Sequence, residues 1–339
     1  MMDPSANRVV FALAPDEISY RRLYTPSKIP VKIGSALVSF YYIDLYSRTS
    51  KSKKAVADRM LRIRKNTDVV MIDSGIFTMK TKFLKTRVGA SLASLPKEEI
   101  ARFQKVCLDN YDYFWKFAKS YALWLRRNPE LYNWCFDLDV DEFLGLEAAE
   151  RFYHMLSKVV PDKEKIIRVW HSLSRGFDDW VNWCESGQYV YLGMESPGSH
   201  KWDANMYRRM IAVAHKHNIK VHVLACTEPS FFKRVPLDTG DSATWLYEGG
   251  RFGIVRTPYG RVSFAMKAEH KRSIPYYRLV PKSKRRDIME WINGTEHKFR
   301  WVDLLRYEVR DFVNIKFFLD EVNRPFSKSG QVYRQSFLD

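Results

Sequence analysis

The chain has 339 residues, of which 46% are hydrophobic and 15% aromatic, and it carries a formal net charge of +17 at pH 7. That is long enough for one barrel-sized domain with an appendage, and too apolar and too free of low-complexity tracts for a disordered chain. The charge leaves the fold open but draws polyanions, nucleic acid first and an anionic membrane surface second.

From the start of the chain, short apolar runs alternate with helix-like segments. The runs are Arg8–Ala14, Ala36–Tyr42, Val69–Asp73, Asn133–Asp139, Ile166–His171, Tyr189–Gly193, Lys220–Ala225 and Val235–Asp241. Several of them, rich in Val, Ile and aromatics rather than alternating with polar residues, read as fully buried strands. Between them Ser52–Lys65, Lys97–Arg127, Leu146–Val159 and Asp203–His217 carry helical apolar spacing, the second long enough for one bent helix or two. Eight strands alternating with helices predict an α/β fold, a closed (β/α)8 TIM barrel, with a doubly wound open sheet as the alternative. Phe252–Val255 competes with Val235–Asp241 for the eighth strand.

The pattern changes after residue 257. Arg261–Lys267 reads as a short strand, Lys271–Arg286 as a basic run interleaved with aromatics, and Ile288–Val322 as mostly helix with a break near Asn293–Gly294. The predicted division is a barrel over 1–257 and a basic, mainly helical C-terminal appendage over 258–339.

Cys107, Cys135, Cys184 and Cys226 lie too far apart for any CxxC pattern, and no HxE or HExxH is present, so no metal site is expected. No GxGxxG or GxxxxGK follows a strand, so no nucleotide cofactor is expected either. Met1–Val10 lacks an apolar signal core, and no stretch approaches the ~20 apolar residues of a membrane span. These features predict a cytoplasmic protein with reduced thiols and no membrane association.

Carboxylates stand where strands end: Asp73 before Ser74–Gly75, Asp137, Asp139 and Asp141 in FDLDVDEF, and Asp241 after Val235–Gly240. In a barrel, the C-terminal strand ends converge on one mouth, so aspartates far apart in sequence meet there. An isolated D-S-G is also an ordinary turn. The alternation at 137, 139 and 141 predicts one shared face. His171 and His222, each alone in a strand, read more readily as hydrogen-bonded core or mouth residues than as metal ligands.

Taken together, VVMIDSGIFT (69–78) and VPLDTGDSATWL (235–246) resemble motifs of the tRNA-guanine transglycosylase superfamily. ALVSFYYID (36–44), FDLDVDEFLG (136–145), YVYLGMES (189–196) and IKVHVLACT (219–227) fall in the matching order. The set is most similar to the phage-type branch that inserts 7-deazaguanines such as preQ0 or preQ1 into DNA. The resemblance implies base exchange at C1′ of a guanine nucleotide, with Asp241 as nucleophile and Asp73 as general acid/base. Asp238 is the competing nucleophile. The resemblance also implies that Phe77 stacks on the base, that Asp139 or Asp137 reads its N–H edge, and that Gly193, Ser74 and His171 line the pocket. The family's CxCxxC…H zinc site has no counterpart, because no cysteine follows Cys226, and Gly75–Ile76 replaces its paired glycines. That departure favours DNA over tRNA as polymer, with a free 7-deazaguanine as co-substrate, and host cytoplasm if the chain is phage-encoded. Lys271, Arg272, Lys282, Lys284, Arg285 and Arg286 form the expected nucleic-acid track. An RNA-acting transglycosylase and a catalytically silent nucleic-acid-binding barrel are the alternatives.

Overall fold

A computed structural model describes residues 8–88, 97–196, 204–265, 274–294 and 296–322. Eight strands form the barrel: β1 Val9–Leu13, β2 Ile33–Ser39, β3 Thr67–Asp73, β4 Trp134–Phe136, β5 Ile166–Trp170, β6 Tyr191–Met194, β7 Lys220–Val223 and β8 Thr239–Ser242. Each pairs in parallel with the next, and β8 closes on β1 with Val9 opposite Gly240. The fold is thus an α/β (β/α)8 TIM barrel, followed by a C-terminal helical part.

The two faces of each strand do different work. Val10, Leu37, Val69, Met71, Phe136, Ile167, Val169 and Tyr191 fill the barrel interior. The alternate residues pack outward on the helices, for example Val70 and Ile72 of β3. Parallel strands need helical crossovers, and those helices carry matching apolar stripes. Helix Ser50–Lys65 buries Val56, Met60 and Ile63, and its N-terminus is closed by a reciprocal Thr49–Ser52 capping box. Lys97–Arg127 resolves into two helices, Lys97–Asp109 and Tyr111–Arg127.

All the strand bounds shift somewhat from the sequence reading, and three of the shifts have a clear local cause. β2 stops at Ser39 because Phe40–Tyr46 is a helix. β4 stops at Phe136, where the Asp137 carboxylate accepts the Val169 N–H at 3.1 Å. β8 begins only at Thr239, since Val235 and Leu237 are buried in a turn. The rival eighth strand is β9, Ile254–Thr257, which pairs antiparallel with β10, Gly260–Ser263, outside the barrel.

Beyond this hairpin come helices Lys282–Asn293 and Tyr307–Val322. The last is a wall shared by two cores. Val309, Phe312 and Val313 pack with Val255, Val262, Phe264, Ile288 and Ile292, while Ile315, Phe317, Phe318 and Val322 join the barrel's own apolar layer. Asn314 satisfies the edge of β9, its side-chain amide donating to Ile254 O (3.1 Å) and its oxygen accepting from Arg256 N (2.8 Å). A buried fork fixes the wall to the first barrel helix, Arg22 donating to both oxygens of Asp311 at 2.7 and 2.9 Å. Among the described residues no helix is long and apolar enough to cross a membrane, and all four cysteines are free and buried.

Candidate active site

The interior-facing parity of the strands decides what reaches the mouth. Counting up from the interior layer, β3 ends on Asp73, β5 runs on to His171, β6 to Glu195, and β8 carries Thr239 and Asp241. Asp73, Asp139, His171 and Asp241 therefore gather at one end of the barrel, joined by Glu195 and, one layer below, His222.

Asp73 sits on the sharp turn from β3 into helix Ile76–Val88. Its Oδ2 accepts the Gly75 N–H at 3.0 Å. Burial, then the neighbouring Asp139 charge and that of Asp241, push its carboxyl up to about 7 against the pull of the Gly75 bond. Gly75 has φ +73°, and a side chain there would come within 2.7 Å of the Tyr41 backbone nitrogen. Gly75→Ala is therefore expected to cost about 2–4 kcal/mol from strain and overlap together. A urea titration showing a midpoint equal to wild type would refute this.

Asp241 is held differently. Its Oδ1 accepts from His222 Nε2 and from Ala225 N, both at 3.0 Å, and among the described residues its Oδ2 accepts no hydrogen bond. His222 is fully buried, and its Nδ1 meets Thr239 Oγ1 at 2.8 Å, with the Tyr191 hydroxyl on the far side of that oxygen. Tyr191→Thr239→His222→Asp241 is a consistent donor chain when His222 is neutral with its proton on Nε2. It fixes one oxygen of the carboxylate and leaves the other free of that chain. Asp238, the rival nucleophile, is occupied elsewhere: its Oδ2 is 2.8 Å from His215 Nε2 and 2.8 Å from Val221 N.

The carboxylates of 136–145 do not share one face, because the strand ends before them. Asp137 serves the β4–β5 seam, bonded to Val169 N and near the charge of Arg168; burial dominates and pushes it up to about 7. Asp139 faces the mouth, raised by burial to about 6 although His171 and Lys80 pull it down. Asp141 opens a short helix and sits 3.0 Å from His171 Nδ1, off the line of a hydrogen bond, while accepting from the Ser174 hydroxyl. Burial opposes ionisation of Asp141, but His171, Ser174 and Arg175 outweigh it and hold it below the usual range. Burial likewise opposes charge on His171, yet Asp141 and Asp139 raise it to about 9, so the ring is an imidazolium at neutral pH.

The remaining predicted site residues separate. Phe77 stands on the rim, 63% exposed, with Lys80 Nζ 5.1 Å over its ring. Ser74 is buried and its hydroxyl accepts from Ile76 N at 3.3 Å, starting the helix instead of lining the mouth. Gly193 lies inside the barrel, where a side chain would press on Val169, Ile167 and Leu224, so its small size answers to packing. Lys271 and Arg272 lie outside the described residues. Lys282, Lys284, Arg285 and Arg286 occupy the first turns of helix Lys282–Asn293. Arg285 is spent on Val280 O and Arg278 O, and Arg286 faces Asp287 and Glu290. The core on which this helix packs takes in Ile29 and Val31, which enter β2 at the end opposite the mouth.

Sequence reasoning passed over Glu195, Lys80 and the pairing of His222. Glu195 was findable by the strand-end rule that gave Asp73; it is buried and accepts the Ser172 N–H at 2.9 Å. Lys80 is buried one turn into its helix, 3.8 Å from Glu142. Among the described residues no group of three or more His, Cys, Asp or Glu side chains is arranged to hold a metal ion.

No protein-family model matches the chain, and no curated protein matches it. Among solved structures it is similar to an enolase of the mandelate racemase subgroup from Agrobacterium tumefaciens, with 10% identity and a TM-score of 0.36. That match covers 71% of this chain and 56% of the enolase, so the chain spans little more than half of that structure's length. These findings overturn the resemblance to the tRNA-guanine transglycosylase superfamily, none of whose models matches. The motifs that suggested it have local causes. D-S-G is the turn that a positive-φ glycine requires after β3, and in D-T-G-D the first aspartate ties β8 to β7.

Proposed function

We propose that the barrel is a glycosyl-transferring enzyme acting on nucleic acid, exchanging guanine in DNA for a 7-deazaguanine base through an aspartyl-glycosyl intermediate. The observation that carries this reading is an unequal pair of carboxylates at one mouth. Asp241 is oriented by two donors on one oxygen, and Asp73 is raised to about 7. Cleaving an N-glycosidic bond builds positive charge at C1′, which a fixed carboxylate stabilises and then traps. In this reading the Asp241 Oδ2 lone pair forms the bond to C1′ as the C1′–N9 electrons leave with the guanine, and the Asp73 carboxyl protonates that base. The incoming base then gives its N–H proton to Asp73 and attacks C1′, and the Asp241 ester breaks. A group near pH 7 is suited to both proton transfers. Asp139 is suited to accept from a purine N–H edge, and His171 pulls its carboxyl down against the burial that raises it to about 6.

What supports nucleic acid as the polymer is the net charge of +17, together with chemistry that needs a base out of its stack. Nucleosides from DNA incubated with the protein and a 7-deazaguanine base, analysed by mass spectrometry, are expected to contain the exchanged base. Asp241→Asn is expected to lower the yield at least 10^3-fold, of the order seen when an essential nucleophile is removed, and to abolish a protein–DNA adduct trapped by denaturation. Exchange into RNA but not DNA would change the polymer. Undiminished exchange by Asp241→Asn would dismiss the mechanism, and nucleic-acid binding with no exchange at all would leave a silent binding barrel.

A further inference from the structure

The ends of β8, β1, β2 and β3 are neighbours around the barrel, and the loops that follow three of them carry an aromatic and basic ledge. Helix Phe40–Tyr46 buries Phe40 and Ile43 on its inward face. Tyr42 and Tyr46, one turn apart, lie off that face and stack on each other with centroids 6.0 Å apart at 24°. Tyr41 meets Tyr42 edge-to-face at 5.4 Å, and Lys82 Nζ stands 4.7 Å over the Tyr41 ring. Tyr46 is 37% exposed, and Tyr247, from the segment after β8, is 47% exposed. Burial raises the Tyr42 phenol, and Tyr247 lies close enough to add to that rise.

The core does not account for this ladder, since the inward face of its helix is already filled. The chain then turns through Arg48, Lys51, Lys53 and Lys54, all exposed, with no acidic residue from 45 to 54. Helix Ser50–Lys65 starts here, at the mouth end, because crossover helices run antiparallel to their strands. An open ladder of planar rings edged by cations beside buried carboxylates matches a chain of planar bases linked by phosphates. The appendage offers a poorer match, since Arg285 and Arg286 are already engaged there.

We propose that the Tyr42–Tyr46–Tyr247 ledge is the docking surface for single-stranded nucleic acid, with bases stacked on the phenols and phosphates along Arg48–Lys54. Its direction rests on the glycosyl-transfer reading, because strand laid on the ledge presents the next nucleotide to Asp73 and Asp241. The ledge acts by stacking and charge, so it takes DNA or RNA single strands, and discrimination falls to the mouth.

Fluorescence anisotropy with labelled 12-mer DNA and RNA oligonucleotides tests this. Tyr42→Leu with Tyr46→Leu keeps apolar bulk and is expected to raise Kd tenfold or more without changing the salt slope. Lys51→Gln, Lys53→Gln and Lys54→Gln together are expected to raise Kd and to reduce the slope of log K against log salt by about 2. The triple variant is wholly on the surface, so it answers the question even if the tyrosine variant melts early. Wild-type affinity in a folded ledge variant would overturn the proposal. So would loss of affinity in Lys282→Gln with Lys284→Gln instead. The two readings fail separately: full affinity without base exchange by the wild type leaves the ledge standing and removes the chemistry, whereas exchange with unaffected binding in both ledge variants does the reverse.

Discussion

Asp73→Asn is expected to stabilise the folded protein at pH 8 while having little effect near pH 4. The carboxyl is raised to about 7 in the fold from an ordinary 3.8, chiefly by burial and then by Asp139 and Asp241. Between those two values the native state holds a proton that the unfolded chain has released. The native state therefore binds more protons, and stability falls as pH rises through the window. At pH 8 both states are ionised and the fold bears the full cost, up to about 4 kcal/mol at 1.36 kcal/mol per pH unit. Solvent reaches this side chain at the mouth, and screening there brings the figure to roughly 2 kcal/mol. Asparagine keeps the acceptor for Gly75 N and removes the charge. Calorimetry is expected to show a rise in Tm of about 3 °C at pH 8 and a much smaller one at pH 4, together with loss of base exchange. Equal melting of the two proteins at pH 8 would show that Asp73 is not held in a destabilised ionised state.

Arg22→Ala is expected to have the largest destabilising effect of any single truncation considered, about 3–5 kcal/mol. The guanidinium is the two-pronged partner of Asp311, whose side chain is fully buried, and Arg22 also donates to Leu246 O at 3.0 Å. Burial raises the Asp311 carboxyl even against the pull of Arg22. Without that arginine the carboxylate is left to Arg310, whose own donors go to Gly249 O, Leu304 O and Leu305 O. Removing both members avoids the uncompensated charge, so Arg22→Ala with Asp311→Ala is expected to be more stable than Arg22→Ala alone. Denaturant titration of the three variants decides the point; a double variant worse than either single would show that packing, not charge, is what the fork supplies.

The barrel was legible because parallel strands buried on both faces are written as apolar runs, and all eight runs stood in order. What blurred their ends was chemistry that overrides composition. Phe40–Tyr42 has the aromatic make-up of a strand, yet it is the first turn of a helix whose outer rings are half-buried or exposed. Val235 and Leu237 have the burial of strand residues but lie in a turn. The candidate site was legible as a set of strand-end aspartates. Their sorting was not, because it depends on register: His222 reaches Asp241 only because His222 pairs opposite Thr239. Nothing in FDLDVDEF shows that Asp137 belongs to a β4–β5 seam, Asp139 to the mouth and Asp141 to His171. The same motifs suggest a family that the comparisons overturn, because a turn glycine and a seam aspartate are enough to write those letters.

Closure of the barrel has a consequence for how the molecule is made. The seam between β1 and β8 is sealed by Arg8, whose guanidinium donates to Leu237 O across 229 residues of sequence. At a synthesis rate of about 5–20 residues per second, β1 waits tens of seconds for the strand that covers its open edge. During that interval the edge of β1 that faces away from β2, with its free N–H and C=O groups, is exposed to other nascent chains. Recovery of soluble protein is therefore governed by the rate of elongation and by holdase chaperones as much as by the stability of the finished fold.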